Sequence, residues 1–294
     1  MKRILFFILL LLGGAVAGAE LEKTLRNVTA DKRARVGIAV VINGRDTVTV
    51  GNEARYPMMS VVKFHQALAV AHYLDRQGLS LARRIPIGRE ALLPDTYSPL
   101  RDRFPEGEIE LSVGELLVYT LQLSDNNACD ILFDRAGGPT ETERFVRSLG
   151  IGDCAIGATE AEMHADPTAC YRNWTTPLAA VELMERFLTR QIVSDSCRAF
   201  IRRTMIECRT GGNRLAKPLA GTGAVIGHKT GTSDRNPKGE WIGINDVGFV
   251  ELPDGQRYSI AVFVRDSKVS AEETERIIAE VSEAVYRYVA GRDR

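Results

Sequence analysis

The amino-acid sequence predicts an α/β fold with an α+β layout: one antiparallel sheet flanked by helices, plus an all-helical lobe. The first observation is a pair of β-rich runs near the N-terminus, and the second is a group of three such runs near the C-terminus. The third is the helical spacing of apolar residues through the middle of the chain. The simplest arrangement pairs the terminal strands in one sheet and packs the helices around it.

Boundary residues place the predicted elements in chain order. Residues 36–42 and 47–52 flank Asn43-Gly44, a turn pair that favours a β-hairpin. Ser112 and Glu115 predict a capping box at the start of a central helix. The other predicted elements are helices over 61–74, 126–135 and 140–149 and from Thr176-Pro177 onward, strands over 224–231, 243–252 and 258–264, and a final amphipathic helix over about 271–289.

These elements define two predicted lobes with one cleft. The sheet lobe is expected to contain about residues 20–58 and 215–294, and the helical lobe about residues 59–214. A binding site is expected in the cleft between the lobes, where such sites are commonly built.

The N-terminus has the pattern of a secretory signal peptide. Lys2 and Arg3 precede an apolar run over residues 4–12, and small residues at 17–19 predict cleavage after Ala19. The apolar run is too short for a stable membrane-spanning helix, although a retained membrane anchor is the alternative interpretation. We therefore expect a periplasmic or secreted protein that starts at residue 20 and has no stable membrane association.

Composition narrows the range of partners. Basic and acidic side chains are balanced at 38 each, which gives no electrostatic basis for binding nucleic acid. The five cysteines are an odd number, so at least one thiol in a monomer is expected to be unpaired, and Cys154 and Cys170 are one candidate pair. The four histidines form no metal-binding motif, so we expect no metal. We also expect no cofactor and a monomeric protein.

Ser60 and Lys63 are two polar residues in an otherwise apolar stretch. Their spacing puts both side chains on one face of the predicted helix. Burial there is expected to lower the pKa of Lys63, so that the amine can accept a proton from a nucleophilic serine. The alternative is that Ser60 only caps the helix and that the Lys63 ammonium reaches water.

Two further motifs complete a known signature. Ser124-Asp125-Asn126 stands at a break between two predicted helices, and Lys229-Thr230-Gly231 lies on a predicted strand. The motifs S-x-x-K, S-D-N and K-T-G together characterise class A β-lactamases and penicillin-binding proteins. The chain resembles this family over essentially the whole predicted mature region, which implies a β-lactamase/transpeptidase-like fold and a small-molecule β-lactam substrate.

The resemblance implies catalytic roles for three of these residues. Ser60 is the expected nucleophile, and Lys63 is expected to take or relay its proton. Ser124 is expected to pass a proton to the departing β-lactam nitrogen. The backbone N–H groups of Ser60 and Thr232 are expected to form the oxyanion hole.

It also implies substrate contacts along both walls of the cleft. Lys229 and Thr230 are expected to face the β-lactam carboxylate. Their strand continues through Gly231 and Thr232, which are expected to line the same wall. Asn126 is expected to bind the acylamide side chain. Tyr97 resembles an aromatic residue at the mouth of the cleft, and the alternative is an ordinary loop aromatic.

Hydrolysis of the acyl-enzyme requires a further base, for which the resemblance implies Glu160. This glutamate lies in a predicted loop, at the separation from Ser124 that the family pattern has. Ala161, His164 and Asp130 depart from the commoner class A pattern and resemble the PER-type extended-spectrum branch. The alternative for this segment is a solvated acidic surface loop.

The expected function is therefore that of a secreted serine β-lactamase of class A. The alternatives are a penicillin-binding DD-peptidase, a β-lactam-binding sensor domain and, more remotely, a serine-dependent glutaminase. Glu160 argues against the first two, because both would retain the acyl group. A zinc β-lactamase is disfavoured by the histidine pattern.

Overall fold

The computed structural model describes residues 18–291, which contain ten helices and ten strands. The helices are α1 (18–29), α2 (Val62–Gln77), α3 (Pro99–Arg103), α4 (Val113–Gln122), α5 (Asn126–Ala136), α6 (Gly138–Ser148), α7 (Glu160–Ala165), α8 (Pro177–Thr189), α9 (Asp195–Ile206) and α10 (Ala271–Ala290). The strands are β1 (Arg35–Ile42), β2 (Asp46–Val50), β3 (Tyr56–Pro57), β4 (Arg84–Ile87), β5 (Ile109–Ser112), β6 (Cys154–Ala155), β7 (Trp174–Thr175), β8 (Val225–Thr232), β9 (Ile244–Glu251) and β10 (Arg257–Arg265).

Strands from both ends of the chain form one five-stranded antiparallel sheet in the order β2-β1-β10-β9-β8. Strand β1 pairs with β10 along its whole length, from Arg35 opposite Arg265 to Ile42 opposite Tyr258. The predicted hairpin is confirmed as β1–β2, with Asn43 and Gly44 in the left-handed region that such turns require. The predicted fold class is therefore confirmed.

Both faces of the sheet are buried, and alternate residues of each strand serve two different cores. On β10, Ala261 and Phe263 pack towards α2, α4 and α8, whereas Ile260 and Val262 pack towards α1 and α10. This alternation follows from the two-residue period of a strand. The sheet is thus a central layer with helices on each side.

Most helix boundaries agree with the sequence predictions. The capping box of Ser112 and Glu115 begins α4, and Thr176 caps α8 with Pro177 at the first helical position. Helix α6 begins at Gly138, two residues before its predicted start, because Gly137 alone ends α5 in a left-handed conformation. Within residues 18–291, no helix is long and apolar enough to span a membrane.

The sequence analysis missed α9. Its buried stripe consists of Cys197, Ile201, Thr204 and Met205, which follow a helical spacing but include two residues of low apolar character. The helix matters because its C-terminal end leads into the wall of the cleft.

A small three-stranded sheet ties the segment before Ser60 to a later part of the chain. Strand β7 pairs with β3 on one side and β6 on the other. The N–H of Met58 also donates to the Asn173 carbonyl at 2.8 Å. The segment that carries Glu160, between β6 and β7, is therefore anchored at both ends beside Ser60.

All five cysteines are free thiols. Cys154 and Cys170, the candidate pair, are both buried and are not bridged. The candidate disulfide between Cys154 and Cys170 is therefore wrong. Each buried thiol packs as a small apolar group instead.

Candidate active site

Ser60 lies in a 3₁₀ turn over Met59–Val61 that leads directly into α2. The turn is held in place by Asn245, whose side-chain amide donates to the carbonyls of Pro57 and Met58. The φ of Met59 is 49°, a strained conformation for a residue with a side chain, and such strain is common at active sites. No side chain caps this turn or α2, so the interpretation of Ser60 as a helix cap is wrong.

Lys63 is fully buried and makes three hydrogen bonds. Its ammonium donates to Ser60 Oγ at 2.9 Å, to the Ser124 carbonyl at 2.9 Å and to Asn126 Oδ1 at 2.6 Å. These three acceptors and the Glu160 carboxylate together surround the ammonium. The interpretation in which the ammonium reaches water is therefore wrong.

The charge of Lys63 is balanced by Glu160, whose Oε1 lies 2.9 Å from Lys63 Nζ. Burial alone lowers the pKa of Lys63, but the Glu160 carboxylate and weaker contributions from Cys129 and Asp125 outweigh burial and raise it. The expected lowering of this pKa is therefore wrong. Lys63 rests as an ammonium, and its protonation state depends on its carboxylate partner.

Glu160 is the first residue of α7, so the predicted loop is a short helix at this point. Its side chain is buried against Lys63, and its peptide bond to Ala161 is trans. Glu160 Oε1 faces the Lys63 ammonium at 2.9 Å, and a carboxylate oxygen can accept from a second donor as well. Glu162 is exposed, completes a capping box with Thr159 and pairs with Arg172.

Asp130 on α5 holds the start of α7. Its two carboxylate oxygens accept the backbone N–H groups of Glu160 and Ala161 at 2.8 and 2.7 Å. Burial raises the pKa of Asp130 to about 6, against the lowering effect of these two hydrogen bonds. Asp130, which departs from the commoner class A pattern, therefore tethers the Glu160 segment to α5.

Ser124 connects the two lysines of the site. Its φ of 60° is unusual for serine; its carbonyl accepts from Lys63, and its Oγ accepts from Lys229 Nζ at 2.9 Å. Burial and the Lys63 ammonium lower the pKa of Lys229 to about 7. The three sequence motifs thus meet at one point.

Asn126 and Tyr97 lie on the helical side of this point. The Asn126 amide donates to Thr96 Oγ1 at 2.8 Å, and its oxygen accepts from Lys63. The Tyr97 side chain is 58% exposed and lines the cleft. Asp125 is buried beneath this loop, where it accepts from Ser98 Oγ and from the N–H of Leu100.

On the opposite wall, Gly231 allows β8 to approach Ser60. A Cβ atom at this glycine would lie 2.6 Å from the Met58 carbonyl oxygen and 3.3 Å from Ser60 N. Only glycine fits this approach, which brings Thr232 on β8 next to the turn that carries Ser60.

Comparison with known proteins identifies this arrangement. The model of the Beta-lactamase enzyme family matches residues 20–289. The chain belongs to the class A β-lactamases.

Its similarity to individual relatives extends over nearly the whole chain. A β-lactamase of Bacteroides uniformis is 40% identical over 91% of this chain and 90% of its own. The extended-spectrum β-lactamase PER-1 of Pseudomonas aeruginosa is 36% identical over 91% of this chain and 87% of its own. The crystal structure of the extended-spectrum β-lactamase TLA-3 superposes with a TM-score of 0.89 at 41% identity, covering 92% and 98% of the two chains.

Arg214, which the sequence analysis missed, also lines the cleft of this β-lactamase. The buried guanidinium donates to Thr232 Oγ1 at 2.7 Å and to the Gly231 carbonyl at 3.0 Å, and it pairs with Glu275. Arg214 therefore adds positive charge beside β8. No motif marks it among the many arginines of the sequence.

The cleft of this β-lactamase has a volume of about 570 Å³. Ser60, Ser124, Glu160 and Thr232 line it, and His164 stands exposed at its rim. Among residues 18–291, no cluster of three or more acidic, histidine or cysteine side chains is arranged to hold a metal ion. The cleft therefore offers serine, lysine and carboxylate chemistry.

Proposed function

We propose that this β-lactamase hydrolyses the amide bond of penicillins and cephalosporins through an acyl-enzyme on Ser60. The observation that supports the proposal best is the buried Lys63–Glu160 pair placed against the Ser60 hydroxyl. It supplies a proton acceptor at the distance that general base catalysis requires.

Acylation begins with movement of the Ser60 proton. Lys63 passes one proton to Glu160 and receives the Ser60 proton in its place, so the net transfer is from Ser60 to Glu160. Ser60 Oγ then attacks the β-lactam carbonyl, and the backbone N–H groups of Ser60 and Thr232 stabilise the oxyanion. The C–N bond breaks as Ser124 delivers its proton to the nitrogen. The proton held by Glu160 returns through Lys63 to Ser124, so that Glu160 is again a carboxylate before deacylation.

Substrate binding uses the charge on the β8 wall. The Lys229 ammonium and the Thr230 hydroxyl take the β-lactam carboxylate, since charge-assisted hydrogen bonds are the strongest available there. Asn126 takes the acylamide group on the opposite side.

Deacylation requires a water molecule that is aligned and deprotonated at the ester. Glu160 is buried and lines the cleft, and its carboxylate has acceptor capacity beyond the contact with Lys63, so it can accept a hydrogen bond from that water. This placed carboxylate favours hydrolysis over the trapped acyl-enzyme of a DD-peptidase or a sensor domain.

The test is Glu160→Gln, which preserves the shape of the side chain and removes its negative charge. Burial then acts on Lys63 without the opposing carboxylate, which lowers the pKa of the amine and lets it activate Ser60. Acylation should continue slowly while turnover falls at least about a hundredfold. Intact-protein mass spectrometry with a cephalosporin should detect an adduct that accumulates on Ser60.

Two variants serve as controls for this experiment. Glu162→Gln should turn over at near the parent rate, because Glu162 points to solvent and only caps α7. Ser60→Ala should form no adduct. If the parent protein itself stays acylated, the DD-peptidase or sensor function replaces this proposal. If Glu162→Gln accumulates the adduct, the base is Glu162 and not Glu160.

We also propose that the substrate range is extended to bulky cephalosporins. The support is the similarity to PER-1 and TLA-3, which are both described as extended-spectrum enzymes. The ratio of kcat/KM for a bulky cephalosporin to that for benzylpenicillin measures this range. A ratio below about one hundredth would contradict the proposal.

A further inference from the structure

Two threonine hydroxyls lie in contact on the β8 wall of the cleft. Thr210 Oγ1 lies 2.6 Å from Thr230 Oγ1, and both residues line the cleft. Thr230 is buried on β8, and Thr210 is half-buried in the segment that follows α9. A separation of 2.6 Å is a short O–H···O hydrogen bond, in which one hydroxyl donates and the other accepts. The direction of this bond determines where the second proton points.

The bound substrate determines the direction of this bond. A carboxylate only accepts hydrogen bonds, so Thr230 must donate its proton to the β-lactam carboxylate when that group is bound. Thr230 then has no proton left for Thr210, and Thr210 must donate to Thr230 Oγ1. The Thr230 proton therefore points into the cleft, and the Thr210 proton points to the oxygen behind it.

Cys208 is the other neighbour of the Thr210 hydroxyl. Its thiol donates to the Thr210 carbonyl at 3.7 Å, and its Sγ lies 3.4 Å from Thr210 Oγ1. Sulfur is a weak acceptor, and the contact with Thr230 is much closer at 2.6 Å. The Thr210 proton is therefore taken by Thr230 and not by Cys208.

The segment that carries Thr210 is held in place from the helical lobe. The backbone N–H of Arg209 donates to the Gln122 carbonyl at 3.0 Å, and the Gln122 side-chain amide donates to Glu207 at 2.8 Å. Gln122 is the last residue of α4 and stands two residues before Ser124. The position of Thr210 relative to Ser124 is thus fixed by hydrogen bonds that do not involve the substrate.

Gly211 brings this segment directly against Thr230. Its φ is 68°, and a Cβ atom there would lie 2.4 Å from Thr230 Cγ2. The methyl group of Thr230 therefore packs on the glycine, while its hydroxyl lies beside Thr210. The two contacts together orient the Thr230 side chain.

A protein donor behind Thr230 is needed because a bound substrate displaces water from this wall. Among residues 18–291, Thr210 is the one side chain that hydrogen-bonds Thr230 Oγ1. Without the Thr210 hydroxyl, water would donate to this oxygen in the free enzyme, and the substrate would exclude that water. The oxygen would then be buried without a donor, which weakens binding.

We propose that Thr210 is a positioning residue for substrate recognition: its hydroxyl donates to Thr230 Oγ1 and directs the Thr230 proton to the β-lactam carboxylate. This role rests on the proposed function, since it requires a substrate carboxylate at Thr230. Thr210 acts through Thr230 and takes no part in the proton transfers at Ser60. Its removal should therefore weaken substrate capture and leave the chemical steps unchanged.

The test is Thr210→Val, which keeps the branched shape of the side chain and removes its hydroxyl. The KM for a cephalosporin with a free carboxylate should rise about fivefold, while kcat stays within about twofold. The methyl ester of the same cephalosporin has no carboxylate, so its kcat/KM should change by less than about twofold. Thr210→Ser retains the hydroxyl and should restore the KM to within about twofold of the parent value.

A double-mutant cycle with Thr230→Val separates this role from a general change of packing. When Thr230 lacks its hydroxyl, Thr210→Val should change the KM by less than about twofold, because Thr210 acts through that group. Cys208→Ala, on the same segment, should also keep the KM within about twofold, since the thiol does not take the Thr210 proton.

Three results would overturn this role of Thr210 and leave the proposed hydrolysis intact. They are an unchanged KM in Thr210→Val, an equal loss on the methyl ester, and an equal loss in the Thr230→Val background. A rise in KM for Cys208→Ala as large as that for Thr210→Val would also overturn it, because packing of the segment would then explain both.

Failure of the proposed function has a different signature. An unchanged KM for the free acid in Thr230→Val would remove the carboxylate contact itself, and with it the role of Thr210. If the parent protein stays acylated, the proposed hydrolysis fails, and the same variants are then compared by their acylation rates at low substrate concentration.

Discussion

At the scale of single residues, this site contains two buried lysines with opposite electrostatic environments. Lys63 pairs with Glu160, and its pKa is raised. Lys229 donates hydrogen bonds to Ser124 Oγ and to the Thr230 carbonyl, and its pKa falls to about 7. The first lysine therefore stays charged near neutral pH, whereas the charge of the second depends on pH.

The titration of Lys229 predicts a pH dependence of substrate capture. Below pH 7 the free enzyme carries the ammonium that attracts the β-lactam carboxylate, and above pH 7 this charge is progressively lost. We expect kcat/KM for a carboxylate-bearing cephalosporin to fall at least about tenfold as the pH rises through this range, since a hydrogen bond to a charged group contributes about 1.5–3 kcal/mol. Initial rates at low substrate concentration measure this profile.

Lys229→Arg is the matched control, because arginine stays charged at any pH used. Its absolute efficiency should be lower, since the planar guanidinium fits the site less well. Its profile should lack the fall near pH 7. If kcat/KM of the parent and of Lys229→Arg falls with pH in the same way, the fall near pH 7 is not due to Lys229.

At the scale of elements, the position of α7 determines where Glu160 lies. The helix is only six residues long, and its start depends on Asp130 for two backbone hydrogen bonds. Glu162 caps the same helix from its exposed side. The geometry of the base is therefore maintained from α5, a different element of the chain.

Asp130→Asn should impair deacylation more than acylation. Asparagine has one acceptor oxygen, so either the N–H of Glu160 or that of Ala161 loses its partner. The Glu160 carboxylate is then held less closely, and we expect kcat to fall about tenfold at pH 7.5. Stopped-flow kinetics should detect a burst of acylation followed by slow turnover.

Asp130→Ala, which removes both acceptors, should lower kcat further than Asp130→Asn. Thermal melting of both variants reports any general loss of stability. Unchanged kcat in folded Asp130→Ala would exclude a positioning role for Asp130.

At the scale of the whole molecule, both faces of the sheet must be covered by helices from distant parts of the sequence. Helix α1 covers one face together with α10, and its Leu21 and Leu25 are almost fully buried there. The proposed export signal ends at Ala19, so cleavage there would retain both leucines in the mature protein.

Leu25→Ala should lower the free energy of unfolding by about 2–5 kcal/mol, because a fully buried side chain leaves a cavity. Lys23→Ala on the exposed side of α1 should change it by less than about 0.5 kcal/mol. Chemical denaturation measures both changes, and a folded Leu25→Ala protein should keep its turnover rate. Equal stability of the two variants would contradict the structural role of α1.

N-terminal sequencing of protein from a periplasmic extract tests the proposed export. We expect the mature chain to begin at Glu20. A mature chain that begins beyond Leu25 would contradict both the cleavage site and the need for α1.

Much of the fold and of the site was predictable because its signals are local. Alternating apolar residues and turn pairs predicted the strands of the sheet, and the capping residues Ser112 and Thr176 predicted two helix starts. Ser60, Lys63, Ser124 and Lys229 stand in short motifs, so the role expected of each followed from the family that the motifs resemble.

The tertiary structure alone decided the features that depend on contacts between distant segments. The pKa of Lys63 rises rather than falls because α7 brings Glu160 to 2.9 Å from it, and sequence spacing does not contain this distance. Arg214 reaches Thr232 for the same reason. The sequence by itself determined which groups are present and which elements carry them. Their charge states were decided only by folding, because electrostatic energies depend on separation and burial.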